Sequence, residues 1–152
     1  MKISYAITVC NEFTEIQRLI PFLLEHKRHE DEIVVLYDSK NGLKSVEEFL
    51  RAKSVNGEFN WHKGEFDGHF ADWKNKLTLL CSGDWIFQID ADEIPHESLI
   101  EYLPEIILSN PDNEVIRVPR VNTVFGLTEE YALYHPKDIE KQVKQNNYYN
   151  TL

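Results

Sequence analysis

The sequence is poor in cysteine and has no long apolar run. Only two cysteines, Cys10 and Cys81, occur among its 152 residues, too few for the disulfide framework of a small secreted domain. Both lie at the edges of apolar stretches, where a free cysteine behaves as a small buried hydrophobe. No stretch reaches the roughly 18 apolar residues that a membrane-spanning helix needs. We therefore expect a cytoplasmic protein without a transmembrane segment.

Basic residues are scarce in the second half of the chain. The formal net charge is −10, and nine acidic residues but no lysine or arginine lie between Lys76 and Arg117. Phosphate backbones are bound by lysine and arginine, so we expect no contact with a nucleic-acid backbone. A smaller anionic ligand would need a cation to bridge it to these acids.

Glycine is absent from the segment CNEFTE at residues 10–15, which follows the first apolar run, and this segment has no basic residue either. A nucleotidyltransferase on an α/β sandwich would be expected to have a glycine-rich, basic loop at this place to hold a triphosphate. The sequence therefore argues against that class of enzyme.

Short apolar runs alternate with amphipathic segments along most of the chain. The runs are continuous, as in parallel strands that are buried on both faces beneath layers of helices. The pattern predicts an α/β fold, a three-layer α/β/α sandwich with a mostly parallel sheet. The predicted strands are residues 3–9, 32–38, 58–61, 85–90 and 114–121, and the predicted helices are residues 11–27, 45–54, 71–83 and 96–109.

Local signals predict how the helices begin, bend and end. Thr14, with Gln17 three residues later, has the pattern of a capping box in the first helix. Pro21 is expected to kink or interrupt that helix, and Pro104 to kink the fourth. Gly83 is expected to close the third helix at its C′ position.

A chain of this length is expected to form one domain. The alternating pattern becomes weak after residue 122, and the last residues, KQVKQNNYYNTL, are polar. We therefore expect a domain at residues 1–125 and a C-terminal extension or tail at residues 126–152.

Polar side chains follow the predicted strands at the points where the strands end. Ligands of such folds bind outside the carboxyl ends of the strands, so these residues are candidates for a site. Each also has a plain structural explanation, because acids favour a helix start, an Asp-Ser pair forms turns, and clustered acids form solvated turns. The candidates are Asn11, Glu12, Asp38, Asp90, Asp92 and Glu93.

Asp90 and Asp92 are candidates for metal ligands. Residues two apart point the same way if the strand geometry continues, so both carboxylates would face one ligand. Mg²⁺ and Mn²⁺ take carboxylate oxygens together with phosphate oxygens and water. Such a metal would neutralise the acids, bind a diphosphate and stabilise it as a leaving group.

Four segments, ITVCNE, VVLYDS, FADWKNK and GDWIFQIDADE, occur in this order. Together they resemble the family 2 glycosyltransferases of the GT-A fold, whose nucleotide-binding half is Rossmann-like. The resemblance covers about residues 3–125, and a weaker one, in RVPRVNTVFGLTEE, is to phage and bacterial relatives. It implies that residues 1–125 form a nucleotide-sugar-binding domain.

The resemblance also implies roles for single residues. Thr8, Cys10 and Glu12 would line the pocket of the base, and Asp38 would hydrogen-bond the base, expected to be uracil. Lys74 would lie near the nucleotide, or else be a solvated lysine on its helix.

The same resemblance implies that Asp90 would contact the ribose or, through water, the metal, and that Asp92 would ligate Mn²⁺ or Mg²⁺. Glu93 would support the site or cap the next helix. His62 and His69 are expected to be ordinary loop residues. The tryptophans Trp73 and Trp85 are expected in the core.

The activity implied is a metal-dependent transfer of a sugar from a nucleotide-sugar, expected to be a UDP-sugar, to a hydroxyl acceptor with inversion. Family members are usually longer, and their second half supplies the acceptor surface and a carboxylate base. Glu129, Glu130 and Asp138 are substitutes between which the sequence does not decide. The alternative is a non-catalytic nucleotide-sugar-binding remnant or partner subunit, and an exposed sheet edge would favour a homodimer.

Overall fold

The computed structural model describes residues 1–120 of the chain. Residues 1–109 form one compact unit, and a second unit begins at Asn110. No helix within residues 1–120 is both long and apolar enough to cross a membrane. The strands are β1 (Ile3–Val9), β2 (Glu32–Asp38), β3 (Asn60–Gly64) and β4 (Trp85–Asp90), and the helices are α1 (Phe13–His26), α2 (Lys44–Lys53), α3 (Phe70–Leu80) and α4 (Glu97–Leu108).

The four strands form one sheet in the order β3-β2-β1-β4, and every pair is parallel. The chain moves outward from β1 to β3 and then returns, through α3, to the other side of β1. The strand order therefore reverses beside β1, and in α/β sheets the crevice at such a reversal is the preferred place for a ligand.

Helices cover both faces of this sheet. On one face, Ala6, Val34 and Leu36 pack against Trp73 and Leu77 of α3. The alternate strand residues point to the other face and are also buried. There α1 contacts α2 and α4. The predicted three-layer α/β/α sandwich is confirmed.

The bounds of β1, β2 and β4 agree with the prediction, whereas β3 differs. The prediction placed this strand at residues 58–61, but it runs from Asn60 to Gly64 and pairs with Val34–Asp38 of β2. Its residues are mostly exposed, so the strand is specified by hydrogen bonding to β2 rather than by an apolar pattern of its own.

The capping box predicted for the first helix is not formed at the start of α1. The N-cap residue is Glu12, no side chain caps the helix, and Thr14 already lies in its first turn. Pro21 lies on the exposed side of α1, which continues without interruption to His26, and Pro104 likewise lies inside α4.

Gly83 does not close α3, which ends at Leu80 with Cys81 as its C-cap. A Cβ atom at Gly83 would lie 2.6 Å from Ser4 Oγ and 2.7 Å from Ser4 N. Glycine is therefore needed because the chain passes close to β1 there, and not because it ends a helix.

A fifth strand was predicted at residues 114–121. Residues 114–120 are irregular and form no strand. Val115 is 75% exposed. An apolar run becomes a strand only when its backbone groups find partners, and within the described part of the chain these residues join no sheet. Residue 121 and the predicted tail at 126–152 lie outside the described residues.

A polar network joins the amino ends of β1 and β2 to the turn before β4. Glu32 accepts hydrogen bonds from Lys2 Nζ (2.8 Å), Ser4 Oγ (2.6 Å) and Ser82 N (2.6 Å). Burial alone would raise the pKa of this carboxyl, but the hydrogen bonds from Lys2, Ser4 and Ser82 outweigh it and lower the pKa to about 2. The network stabilises the folded chain only while Glu32 is ionised.

We predict that Glu32→Gln destabilises the fold at pH 7 by about 1–2 kcal/mol, because the amide keeps the shape but loses the charge. The stabilisation is complete above the ordinary pKa of 4.5 and is lost as the pH falls towards 2. Urea unfolding of both proteins between pH 7 and pH 2 should therefore give a difference that shrinks with acidification. A difference that is equal at every pH would contradict the assigned role of the charge.

Candidate functional site

A cleft of about 610 Å³ opens at the carboxyl ends of β1, β2 and β4. Its lining includes all seven residues that were predicted to bind nucleotide or metal, so the fold brings them together from four separate segments. They are Thr8, Cys10, Glu12, Asp38, Lys74, Asp90 and Asp92.

Asp38, the last residue of β2, is only 3% exposed and holds the surrounding loops. Its Oδ1 accepts hydrogen bonds from the backbone N–H groups of Lys40 (3.0 Å) and Phe66 (3.2 Å), and its Oδ2 accepts one from Asn41 Nδ2 (2.8 Å). The bond from Lys40 N is that of an Asx turn, the plain alternative for this residue. Asp38 thus links the loop after β2 to the segment after β3.

The pKa of Asp38 lies below its ordinary value. Burial acts to raise it, but the hydrogen bonds from Asn41, Phe66 and Lys40 outweigh burial and favour the anion. Oδ2 also accepts from the Cys10 thiol, so both of its lone-pair directions already have a donor within the described residues. These bonds give Asp38 a structural role, and its contact with a base stays a prediction.

Glu12 and Cys10 follow β1 and line one edge of the cleft. Glu12 Oε2 accepts hydrogen bonds from the backbone N–H groups of Cys10 (2.8 Å) and Asn11 (3.0 Å). The Cys10 Sγ lies 3.8 Å from Asp38 Oδ2. Burial, followed by the charges of Asp38 and Glu12, raises the pKa of the Cys10 thiol, so it stays neutral at pH 7 and is no activated nucleophile.

Lys74 crosses from α3 to the ends of β1 and β4. Its Nζ forms an ion pair with Asp90 Oδ1 and donates a hydrogen bond to Thr8 Oγ1 at 3.0 Å. The parallel register places Thr8 directly beside Asp90, so a single ammonium reaches both. Lys74 is therefore not a solvated lysine on an outer helix face.

Among the described acids of the cleft Asp92 alone is exposed, whereas Ala91 before it is buried. Within residues 1–120, no three histidine, cysteine or acidic side chains converge to hold a metal by themselves. Mg²⁺ and Mn²⁺ are commonly bound by only one or two carboxylates together with substrate phosphates. β4 ends at Asp90, and residues 90–93 form a turn closed by the bond from Glu93 N to Asp90 O, so the strand geometry that was expected to point Asp90 and Asp92 the same way does not continue to Asp92. Both residues line the cleft, and their role as metal ligands stays a prediction.

Glu93 supports the turn that carries these acids. Its backbone N–H donates to Asp90 O at 2.9 Å, and its Oε2 accepts from Asp90 N at 3.2 Å. Of the two histidines considered, His69 caps α3 by accepting a hydrogen bond from Asp72 N, and His62 lies exposed in β3. Neither histidine lines the cleft.

The sequence prediction missed an aromatic wall of the cleft, formed by Phe66, Phe70 and Trp73. Trp73 is buried, as expected, whereas Trp85 is only partly buried. Phe70 and Trp73 are three positions apart on α3, a spacing that places side chains on one helical face, and this is the signal that was available. Phe66 lies in the loop before α3, where no such periodicity applies.

Comparison with known proteins gives the family. The sequence model described as Glycosyl transferase family 2 matches residues 4–151, nearly the whole chain. The chain belongs to glycosyl transferase family 2. The resemblance that the four segments indicated is thereby confirmed. No curated protein sequence matches this family 2 chain.

Solved structures of S. aureus TarS share the fold. A crystal structure of TarS 1-349 is 14% identical with a TM-score of 0.59, and the match covers 81% of this chain and 40% of that one. A complex of the same protein with UDP is 16% identical with a TM-score of 0.59, covering 91% and 49%. A complex with UDP-GlcNAc covers 81% and 39%. This family 2 chain thus spans less than half the length of these structures.

We predict that Asp38→Asn destabilises the protein by about 1–3 kcal/mol, because the bonds from backbone N–H groups to Oδ1 lose the charge of their acceptor and an NH₂ group in the place of Oδ2 would face the Asn41 Nδ2 donor. Urea unfolding at pH 7 measures the change. Asp92→Asn is the matched control, since Asp92 is exposed, and it should leave stability within about 0.5 kcal/mol of the original. Equal stability of all three proteins would rule out the role of Asp38 in holding the loops.

Proposed function

We propose that the cleft binds a nucleotide-sugar, a UDP-sugar, and that the protein transfers the sugar to a hydroxyl acceptor with the help of Mn²⁺ or Mg²⁺. The observation that carries the proposal is the convergence of all seven predicted residues on one cleft. Membership of family 2 supports sugar transfer as the reaction. The UDP and UDP-GlcNAc complexes of TarS support UDP as the carrier.

The size and position of the cleft suit a nucleotide. Its volume of about 610 Å³ lies within the range of roughly 300–1,000 Å³ of small-molecule sites. It combines apolar and aromatic side chains with a few polar groups, which is the usual composition of a site that orients a small ligand.

The charge of the cleft supports the need for a metal. Four lining residues are acidic, namely Glu12, Asp38, Asp90 and Asp92, and Lys74 alone among the described lining residues is basic. Four negative charges and one positive charge give −3, which would repel a diphosphate. A divalent cation between Asp92 and the diphosphate would remove this repulsion.

Asp92 would hold the metal, with Asp90 beside it, and the bound metal would supply Lewis-acid stabilisation of the leaving diphosphate. Lys74 keeps Asp90 in place by the ion pair and carries the positive charge nearest to that carboxylate. Asp38, Cys10 and Thr8 would orient the nucleoside.

Transfer in this proposal is a single displacement. The acceptor oxygen forms a bond to the anomeric carbon while the bond from that carbon to the diphosphate oxygen breaks, so the configuration inverts. A base must take the proton of the acceptor hydroxyl. The substitutes considered for this base, Glu129, Glu130 and Asp138, lie outside the described residues.

A second candidate function is nucleotide-sugar binding without transfer. It is favoured by the state of the cleft acids, since Glu12, Asp38 and Asp90 are already engaged by backbone N–H groups or by Lys74. None of these three is left as a base for an acceptor. Both candidates use the same donor site, and only turnover separates them.

We predict that the purified protein binds UDP in calorimetric titrations with Mn²⁺ and at least about tenfold more weakly without it. Asp92→Asn should remove the manganese-dependent part because it removes a metal ligand. Glu48→Gln, at an exposed acid of α2 outside the cleft, is the control and should bind like the original protein.

Binding of UDP that is equal with and without Mn²⁺, or unchanged in Asp92→Asn, would contradict the metal assignment. For the reaction itself, UDP release from UDP-sugars in the presence of hydroxyl acceptors is measured, and the anomeric configuration of the product is read by NMR. Binding without release would favour the second candidate, and a retained configuration would exclude single displacement.

We predict that Lys74→Met raises the affinity for Mn²⁺ alone by up to about fivefold, because the ammonium no longer competes for Asp90. Lys76→Met is a control matched in charge, since Lys76 lies on the same helix but contacts the Trp73 ring instead of an acid. Calorimetry without nucleotide measures both variants. An equal increase in the two would reflect net charge only and would argue against Asp90 as a ligand.

A further inference from the structure

The aromatic wall of the cleft has an anchored part and an exposed part. The Phe66 ring centroid lies 5.9 Å from that of Trp73 at an interplanar angle of 63°, and Phe66 and Trp73 both join the core cluster under α3. Phe70 packs on Phe66 with ring centroids 4.8 Å apart, yet it is 71% exposed. Phe70 therefore rests on a fixed support and presents most of its surface to solvent.

Core packing does not explain the position of Phe70. The side chains of α3 that are buried in the core are Trp73 and Leu77, whereas Phe70 lies outside the core cluster. A single exposed apolar residue needs no special explanation. An exposed aromatic ring that lines a cleft and is held from behind by another ring is a surface for stacking.

Two contacts fix the orientation of this wall relative to the acids. The backbone N–H of Phe66 donates to Asp38 Oδ1 at 3.2 Å, which ties the wall to the end of β2. Lys74 follows Phe70 by one helical turn on the same face of α3, and it reaches Asp90 at the end of β4. A ligand that spans the cleft therefore meets aromatic rings at the Asp38 end and charged groups at the Asp90 end.

That order of groups matches a nucleoside diphosphate, with a planar base at one end and charged phosphates at the other. We infer that Phe70 is the platform on which the nucleobase of the donor stacks, opposite the Cys10 and Asp38 edge. The inference rests on the proposed function and adds to it a residue that determines how the base is bound. Stacking of a base on an aromatic side chain tolerates different bases and contributes strongly to affinity.

The test compares Phe70→Ala with Leu79→Ala by calorimetry in the presence of Mn²⁺. Leu79 is a matched control because it is an exposed apolar residue of the same helix, 85% exposed and outside the cleft. The probes are UDP and inorganic pyrophosphate, which has no base. We expect Phe70→Ala to bind UDP about tenfold more weakly and pyrophosphate unchanged, and Leu79→Ala to bind both like the original protein. Phe70→Trp should retain UDP binding.

The outcomes separate this inference from the proposed function. If the original protein binds UDP and Phe70→Ala binds it equally well, the inference alone is overturned. A loss of pyrophosphate binding as large as the loss of UDP binding would also overturn it, because Phe70 would then only hold the structure of α3. If the original protein does not bind UDP with Mn²⁺, the proposed function fails and the inference fails with it.

Discussion

The site depends on the parallel pairing of β1 with β2 on one side and β4 on the other. This pairing places Thr8 level with Asp90 and brings the carboxyl ends of the three strands to one edge of the sheet. Apolar side chains are packed on both faces, and a slip of one residue would exchange the side chains that meet α3 for those that meet the helices of the other face. The polar residues at the carboxyl ends of the strands are brought together by this strand pairing.

Several carboxylates lie close together in the cleft, and different contacts offset the repulsion between their charges. Asp38 is buried and stabilised by hydrogen bonds from neighbouring loops, and Glu12 accepts bonds from the backbone N–H groups of Cys10 and Asn11, which precede α1. Asp90 is neutralised by Lys74. Asp92 is the exposed acid of the cleft, which makes it the carboxylate best placed to meet a cation from solution together with an anionic ligand.

The parts that sequence predicted well are those that depend on burial. β1, β2 and β4 are continuous apolar runs, and the acids that end them were recognised because the fold class places ligands there. β3 and residues 114–120 were predicted less well, because a strand also needs a partner that an apolar pattern does not show. The aromatic wall was missed because Trp73 was considered only as a core residue and Phe70 was not considered. The Asp90–Lys74 ion pair joins residues whose proximity depends on how α3 packs. The functional roles of the site residues remain predictions.

We propose that the edge of the sheet beside β1 is a donor site completed by a divalent cation. The most direct test of this proposal is a crystal structure of the protein grown with UDP and Mn²⁺, with anomalous scattering used to locate manganese. We expect a manganese peak at the Asp92 carboxylate and the uracil ring at the Cys10 and Asp38 end of the cleft. Manganese far from Asp92, or UDP bound outside this cleft, would contradict it.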